Sequence, residues 1–280
     1  MDRRRRGNDR VQGGASADLI YGHLGNDLIY GFAVVSDGDD NALDQLYGEW
    51  GNDQIVGGGG DDYIDGGYGN DVLTGNAGND RLLAGYGLNT LNGGDGNDLL
   101  YGSDDGADTM NGNAGDDRIW GYAGNDNIDA GSGEDMVDGG GGDDLIVGGA
   151  GSDVLLGGAD HDTLYGHSLS GAGDDNAVDW LYGDFGTGGN EAGSGRDHLF
   201  GQGGNDLLYG EGNDDLIEGT AGFNQNETSG GAGNLIDFGN AGDNAAFAAP
   251  AATPAPALHA IDYSNSRAAA SLPDYAVQRG

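Results

Sequence analysis

From Gly13 to Glu218 the apolar positions of the chain recur every nine residues, from Ile20 and Ile29 through Met110 and Ile119 to Leu208 and Ile217. Each is preceded by a Gly-rich stretch, and the unit reads G-G-x-G-x-D-x-U-x, with U apolar. Gly66-Gly67-Tyr68-Gly69-Asn70-Asp71-Val72-Leu73-Thr74 is a clean copy, and two more, Gly139 to Val147 and Gly148 to Leu156, follow back to back. There are sixteen uninterrupted nonapeptides and four with insertions, and the eighth position is aliphatic or Met in all twenty. The first six residues of a unit end in Asn-Asp or Asp-Asp and suit a turn that needs positive φ. The last three, such as Leu28-Ile29-Tyr30, alternate in facing and suit a short strand. Two turn–strand units close one coil of eighteen residues. The twenty units predict an all-β solenoid of about ten coils, roughly 50 Å long at the ~4.8 Å spacing of stacked strands.

Composition sharpens this picture. With 62 Gly and 36% apolar residues in 280, the chain cannot build an ordinary globular core; the predicted core is thin, one file of Ile and Leu per sheet. Low hydrophobicity and high charge also suit disorder, but a disordered chain has no reason to hold one apolar phase over some two hundred residues, whereas a solenoid must bury one residue per unit. Acidic residues number 48 against 10 basic ones, for a formal net charge of −38; 42 of the acids are Asp and every base is Arg. Such a surface repels nucleic acid and anionic membranes. Its hard carboxylate oxygens favour Ca²⁺ over zinc or copper. Cys is absent, which removes disulfides, thiolate metal sites and Cys nucleophiles. No run approaches the ~18 apolar residues of a membrane-spanning helix, so no transmembrane segment is expected.

Asp occupies the sixth position in nineteen units, the exception being Asn89. Stacked coils place each of these Asp about 5 Å from the Asp two units away, where unit charges repel by ~3 kcal/mol at an effective dielectric near 20. A thin core does not offset that many times over. A divalent cation between neighbours reverses the sign, the turn backbone can add carbonyl oxygens, and metal binding and folding become one equilibrium. Turn capping alone accounts for any single Asp but not for nineteen of twenty.

These units resemble the RTX nonapeptide repeat of the hemolysin-type calcium-binding family, over about three quarters of the chain. The resemblance implies a parallel β-roll with multiple Ca²⁺ ions in the turns, the sixth-position Asp as side-chain ligand and carbonyls of the first four turn residues completing each site. Carried over residue by residue, the metal ligands are Asp18, Asp27, Asp53, Asp62, Asp71, Asp80, Asp98, Asp108, Asp117, Asp126, Asp135, Asp144, Asp153, Asp162, Asp206 and Asp215. Neutral Asn89 weakens its two adjoining sites. Ser16, Asp160 and Asn213 stand in place of the fourth-position Gly and weaken Asp18, Asp162 and Asp215.

Residues 13–218 are therefore read as the roll, after a basic lead over 1–12 and before degenerate capping repeats over 219–247. An Ala/Pro-rich linker fills 248–280, in which Leu272 to Val277 resembles the uncleaved carboxy-terminal export signals that accompany RTX repeats. Met1-Asp2-Arg3-Arg4-Arg5-Arg6 has the charge of a signal-peptide start without an apolar stretch behind it. Two insertions, around 38–48 and 173–183, are near copies 135 residues apart, and they and residues 184–195 read as surface loops. Asp37-x-Asp39-x-Asn41 departs from an EF-hand loop at Ala42.

Ninth-position aromatics, among them Tyr21, Tyr47, Tyr101, Trp120, Tyr182 and Tyr209, offer either cross-strand packing or a face for polysaccharide or protein. His23, His161, His167, His198 and His259 lack metal-ligand spacing, and Gly166-His167-Ser168-Leu169-Ser170 misses the nucleophile elbow at its last position. The expectation is a secreted bacterial, non-enzymatic calcium-binding module, exported by a type I-like system. The alternatives are a polysaccharide- or protein-binding module and the repeat fragment of a larger toxin or enzyme.

Overall fold

The computed structural model describes residues 7–32, 42–169, 177–184, 195–204, 206–210, 215–219, 225–227 and 235–238. The described residues form twenty-three strands and no helix. Strands alternate between two parallel sheets as the chain winds. The odd-numbered strands, β1 (Arg10–Gly14), β3 (Leu28–Phe32), β5 (Gln54–Gly59) and onward to β23 (Leu235–Phe238), make a twelve-stranded sheet. The even-numbered strands, from β2 (Leu19–Leu24) through β22 (Gln225–Glu227), make an eleven-stranded one. Every strand therefore pairs with the strand one full coil away. Leu73 lies beside Ile55 on one side and Leu91 on the other, which is the eighteen-residue register that the period predicts.

The eighth-position residues fill the interior. Ile29, Ile55, Leu73 and Leu91 line one sheet, and Leu46, Ile64, Leu82 and Leu100 line the other, all fully buried. Two files of branched aliphatic side chains face each other along the roll, and the flanking seventh and ninth residues turn outward.

The division of the unit differs from the sequence expectation. A typical strand has six residues rather than three: β7 (Val72–Ala77) takes the last three positions of one unit and the first three of the next. Only three residues remain for the turn, such as Gly78-Asn79-Asp80. The first glycine is extended, and the second position has positive φ without leaving the ladder, as Asn76 shows with a φ of 82° while pairing Gly58 and Gly94. The Gly-rich half of the repeat is thus largely strand.

The roll also starts before the clean repeat, because β1 begins at Arg10 and Val11 packs against the core. Insertions leave the register intact. β3 pairs β5 with Leu28 opposite Gln54, although 26 residues separate them. Residues 33–41, 170–176 and 185–194, and with them the EF-hand-like Asp37-x-Asp39-x-Asn41, lie outside the described residues. So do 1–6 and 248–280. The later parts of the two near-copy insertions, expected as surface loops, are strands of the roll instead, Gln45–Trp50 and Trp180–Asp184, because they resume the nine-residue phase at Leu46 and Leu181.

Candidate metal centre

The sixth-position residues form two columns, one along each edge of the roll. One runs Asp27, Asp53, Asp71, Asn89, Asp108, Asp126, Asp144, Asp162, Asp197 and Asp215. The other runs Asp18, Asp44, Asp62, Asp80, Asp98, Asp117, Asp135, Asp153, Asp179 and Asp206. All sixteen residues singled out from the sequence stand in these columns. Asp44, Asp179 and Asp197 join them across the insertions, and Asp9 heads the first by donating its N–H to Asp27 Oδ1 at 2.7 Å. The signal for all four is the apolar residue two places on: Val11, Leu46, Leu181 and Leu199.

The link is the same at every step. The backbone N–H of each column residue donates to Oδ1 of the column residue one coil later, at 2.7 Å from Asp53 to Asp71 and 2.8 Å from Asp126 to Asp144. Oδ2 is treated differently. In Asp27, Asp53, Asp71, Asp98, Asp117, Asp126, Asp135 and Asp144 it is buried and has no hydrogen-bond partner. In Asp53 and Asp126 it lies over the first glycine of the unit, where a methyl on Gly48 or Gly121 would come 2.4 Å from Oδ2; the unit of Asp135 opens instead on the fully buried Ala130.

Fourth-position replacements do not disturb the column where they are described. Ser16 and Asp160 adopt the positive φ that glycine has elsewhere, 97° and 75°, while Asp18 and Asp162 keep their column bonds. Asn213 lies outside the described residues.

Burial without water raises the carboxyl groups well above the ordinary 3.8. Desolvation is the largest cause throughout. It lifts Asp53 and Asp117 to about 6, and Asp71, Asp98, Asp126 and Asp135 to about 7. Asp144 and Asp197 reach about 8 and Asp162 about 9. The N–H bond to Oδ1 opposes this rise in each case, and a neighbouring Asp charge adds to it in each; Asp184 is among the groups that raise Asp162 and Asp197.

A carboxyl group with one oxygen fixed on an N–H and the other buried without a partner is costly as either anion or acid. A hard, oxygen-seeking cation resolves that cost, and Ca²⁺, which takes six to eight oxygens in flexible geometry, suits the donor set. Among the described residues no group of three or more His, Cys, Asp or Glu gathers as a side-chain cage. Each turn offers one column carboxylate, so for an ion bound there main-chain oxygens would have to supply most of the ligands.

A second ladder runs outside the first, at the fifth position. Here the N–H donates backward, to the side chain one coil earlier: Asn52 to Asn26 Oδ1, Asn70 to Asn52 Oδ1, Asn97 to Asn79 Oδ1 and Asp116 to Asn97 Oδ1, all at 2.8–3.0 Å. The Asn-Asp dipeptide therefore carries two hydrogen-bond chains of opposite direction, a role for the fifth residue that the sequence pattern leaves unassigned.

Ninth-position rings stack on one another across strands. Tyr21 and Tyr47 lie 4.9 Å apart between centroids, Tyr101 and Trp120 4.7 Å, and Tyr182 and Tyr209 4.8 Å. An exposed third-position stack, Trp50, Tyr68 and Tyr86, has spacings of 4.2 and 4.7 Å. In both rows the faces turn toward neighbouring rings and the edges toward solvent, which is cross-strand packing.

The family model described as RTX calcium-binding nonapeptide repeat (4 copies) matches residues 5–31, 47–82, 74–105, 103–137, 138–168 and 191–225. A search of the curated proteins finds no match. The matched segments span both Asp columns and most of the chain, and the protein belongs to the RTX calcium-binding nonapeptide repeat family.

Proposed function

We propose that this protein is a calcium-binding β-roll whose folding is coupled to Ca²⁺, acting outside the cell as a non-catalytic scaffold or secretion-assisting module. The observation that carries the reading is the buried, unpartnered Oδ2 repeated along both columns. The sixteen Asp named from the sequence, together with Asp44, Asp179 and Asp197, hold the ions, with turn carbonyls beside them. Bound calcium supplies the positive charge that two columns of carboxylates lack. The column bonds orient each carboxylate, and the glycine beneath most of them keeps room for the second oxygen.

Where calcium is scarce, repulsion and desolvation disfavour the coil; where it is abundant, as outside a cell, site affinities of ~10⁻⁴ to 10⁻³ M fill the turns. That dependence suits a chain exported unfolded through a type I-like system and folded on arrival. The role is non-catalytic because one carboxylate environment recurs coil after coil, whereas paired acid–base chemistry needs two carboxyl groups in different surroundings. Circular dichroism of the full chain across a calcium titration is expected to show a cooperative gain of β-signal. No gain up to ~10 mM Ca²⁺ sinks the reading.

A further inference from the structure

One turn in the first column is built differently from the rest. Its unit, Ala84-Gly85-Tyr86-Gly87-Leu88-Asn89, replaces the first glycine, the fifth-position polar residue and the sixth-position Asp together. Asn89 keeps the structural half of the Asp role. Its Oδ1 accepts the Asp71 N–H at 2.9 Å, and its own N–H donates to Asp108 Oδ1 at 2.7 Å, so the column passes through without a break.

The other half of the side chain is changed. Where an Asp presents a second oxygen, Asn89 presents Nδ2, which donates to the Gly87 carbonyl at 3.2 Å. Ser103, one coil on, donates its hydroxyl to the same carbonyl at 3.1 Å. The two ends of the Asn89 amide are told apart by their partners, an N–H on one side and a carbonyl on the other. The fully buried methyl of Ala84 stands where most other units keep a glycine beneath Oδ2; Ala130, in the unit of Asp135, is the other alanine at this position. Charge and ligand oxygen are both withdrawn at one place, and two hydrogen-bond donors converge on a turn carbonyl instead. A cation brought here would face an N–H₂ group and a carbonyl already occupied.

We propose that the Ala84–Asn89 turn is a cation-free seat in the column, held by protons where its neighbours are held by metal, and that it keeps its hydrogen bonds when calcium is withdrawn. The inference rests on the calcium reading for the flanking turns and names the place where that reading stops. Its consequence is a fixed point inside the roll: the Asp71 and Asn89 amides stay closed in calcium-free solution, giving the coils on either side a formed register to add to.

The test uses the full chain in two measurements. Equilibrium dialysis against calcium counts the ions bound by the native chain, by Asn89→Asp and by Asn89→Asp with Ala84→Gly. The double variant is expected to bind one or two ions more than the native chain, with the single variant as the check should the double variant fold poorly. Hydrogen exchange in chelator is expected to show the Asp71 and Asn89 amides of the native chain exchanging at least about tenfold more slowly than those of Asp53 and Asp126, and the difference is expected to vanish in the double variant. Unchanged ion counts in both variants, or native amides at 71 and 89 exchanging as fast as those at 53 and 126, overturn the proposal. If the native chain takes up no calcium at all, the calcium reading itself fails, and the exchange comparison still decides whether this turn closes by hydrogen bonds.

Discussion

At the scale of the residue, each column Asp does two jobs with two oxygens. In Asp126, Oδ1 caps the Asp108 N–H at 2.7 Å, while Oδ2 is buried without a partner. The first job is structural and needs no charge, as Asn89 demonstrates by performing it. The second, on the reading above, needs the charge. Asp126→Asn is therefore expected to lower the bound calcium by one or two ions while keeping the column. Asp126→Ala loses the same ions and also leaves the Asp108 N–H without its acceptor, a further loss of about 1–3 kcal/mol. Dialysis for the ions and denaturant unfolding at saturating calcium for the stability separate the two jobs; equal stability of the two variants means that the Oδ1 bond contributes nothing.

At the scale of the element, the turn is short because backbone stacks on backbone. Gly69 in the fourth position has a φ of 136°, and a methyl there would sit 1.8 Å from the Gly51 carbonyl oxygen. The neighbour is main chain and cannot step aside, so Gly69→Ala is expected to cost more than about 2 kcal/mol and to raise the calcium midpoint of folding several-fold. Asn76, with positive φ at the second position, accepts glycine readily; Asn76→Gly is expected to leave that midpoint within about twofold. Comparable midpoint shifts for the two variants would contradict the stacked-backbone account. The inner and outer ladders act on the same element from opposite directions. The sixth-position N–H reaches forward one coil and the fifth-position N–H reaches back, so a slipped strand breaks both at once.

At the scale of the whole molecule, the two columns make stability depend on protons and calcium in opposite senses. Burial raises the folded carboxyl groups of Asp53, Asp144 and Asp162 to about 6, 8 and 9, against 3.8 for an ordinary Asp. Between those values the metal-free roll holds protons that the unfolded chain has released. The stability these protons contribute is therefore fully present below about pH 4 and is lost as pH rises through about 6 to 9. Calcium displaces the same protons, so its affinity weakens on acidification. Melting temperatures in chelator are expected to fall between about pH 5 and pH 8, and those in ~10 mM calcium to hold or rise over the same range. Parallel curves in the two buffers would show that protons and calcium do not compete for one set of oxygens.

The nine-residue apolar phase was enough to determine the winding, the parallel register and the two buried files, because a coil that repeats its inward side chain has few other ways to hide it. The same phase located nearly every column Asp, since the carboxylate always stands two places before the buried residue. Tertiary structure alone decided the rest. Strand extends into the glycines because neighbouring coils bond them there, which no property of an isolated glycine foretells. The direction of the fifth-position ladder, the burial of Oδ2 without a donor in residues such as Asp53 and Asp126, and the convergence of Asn89 and Ser103 on one carbonyl depend on residues a full coil apart. Those contacts exist only after the chain has wound once around.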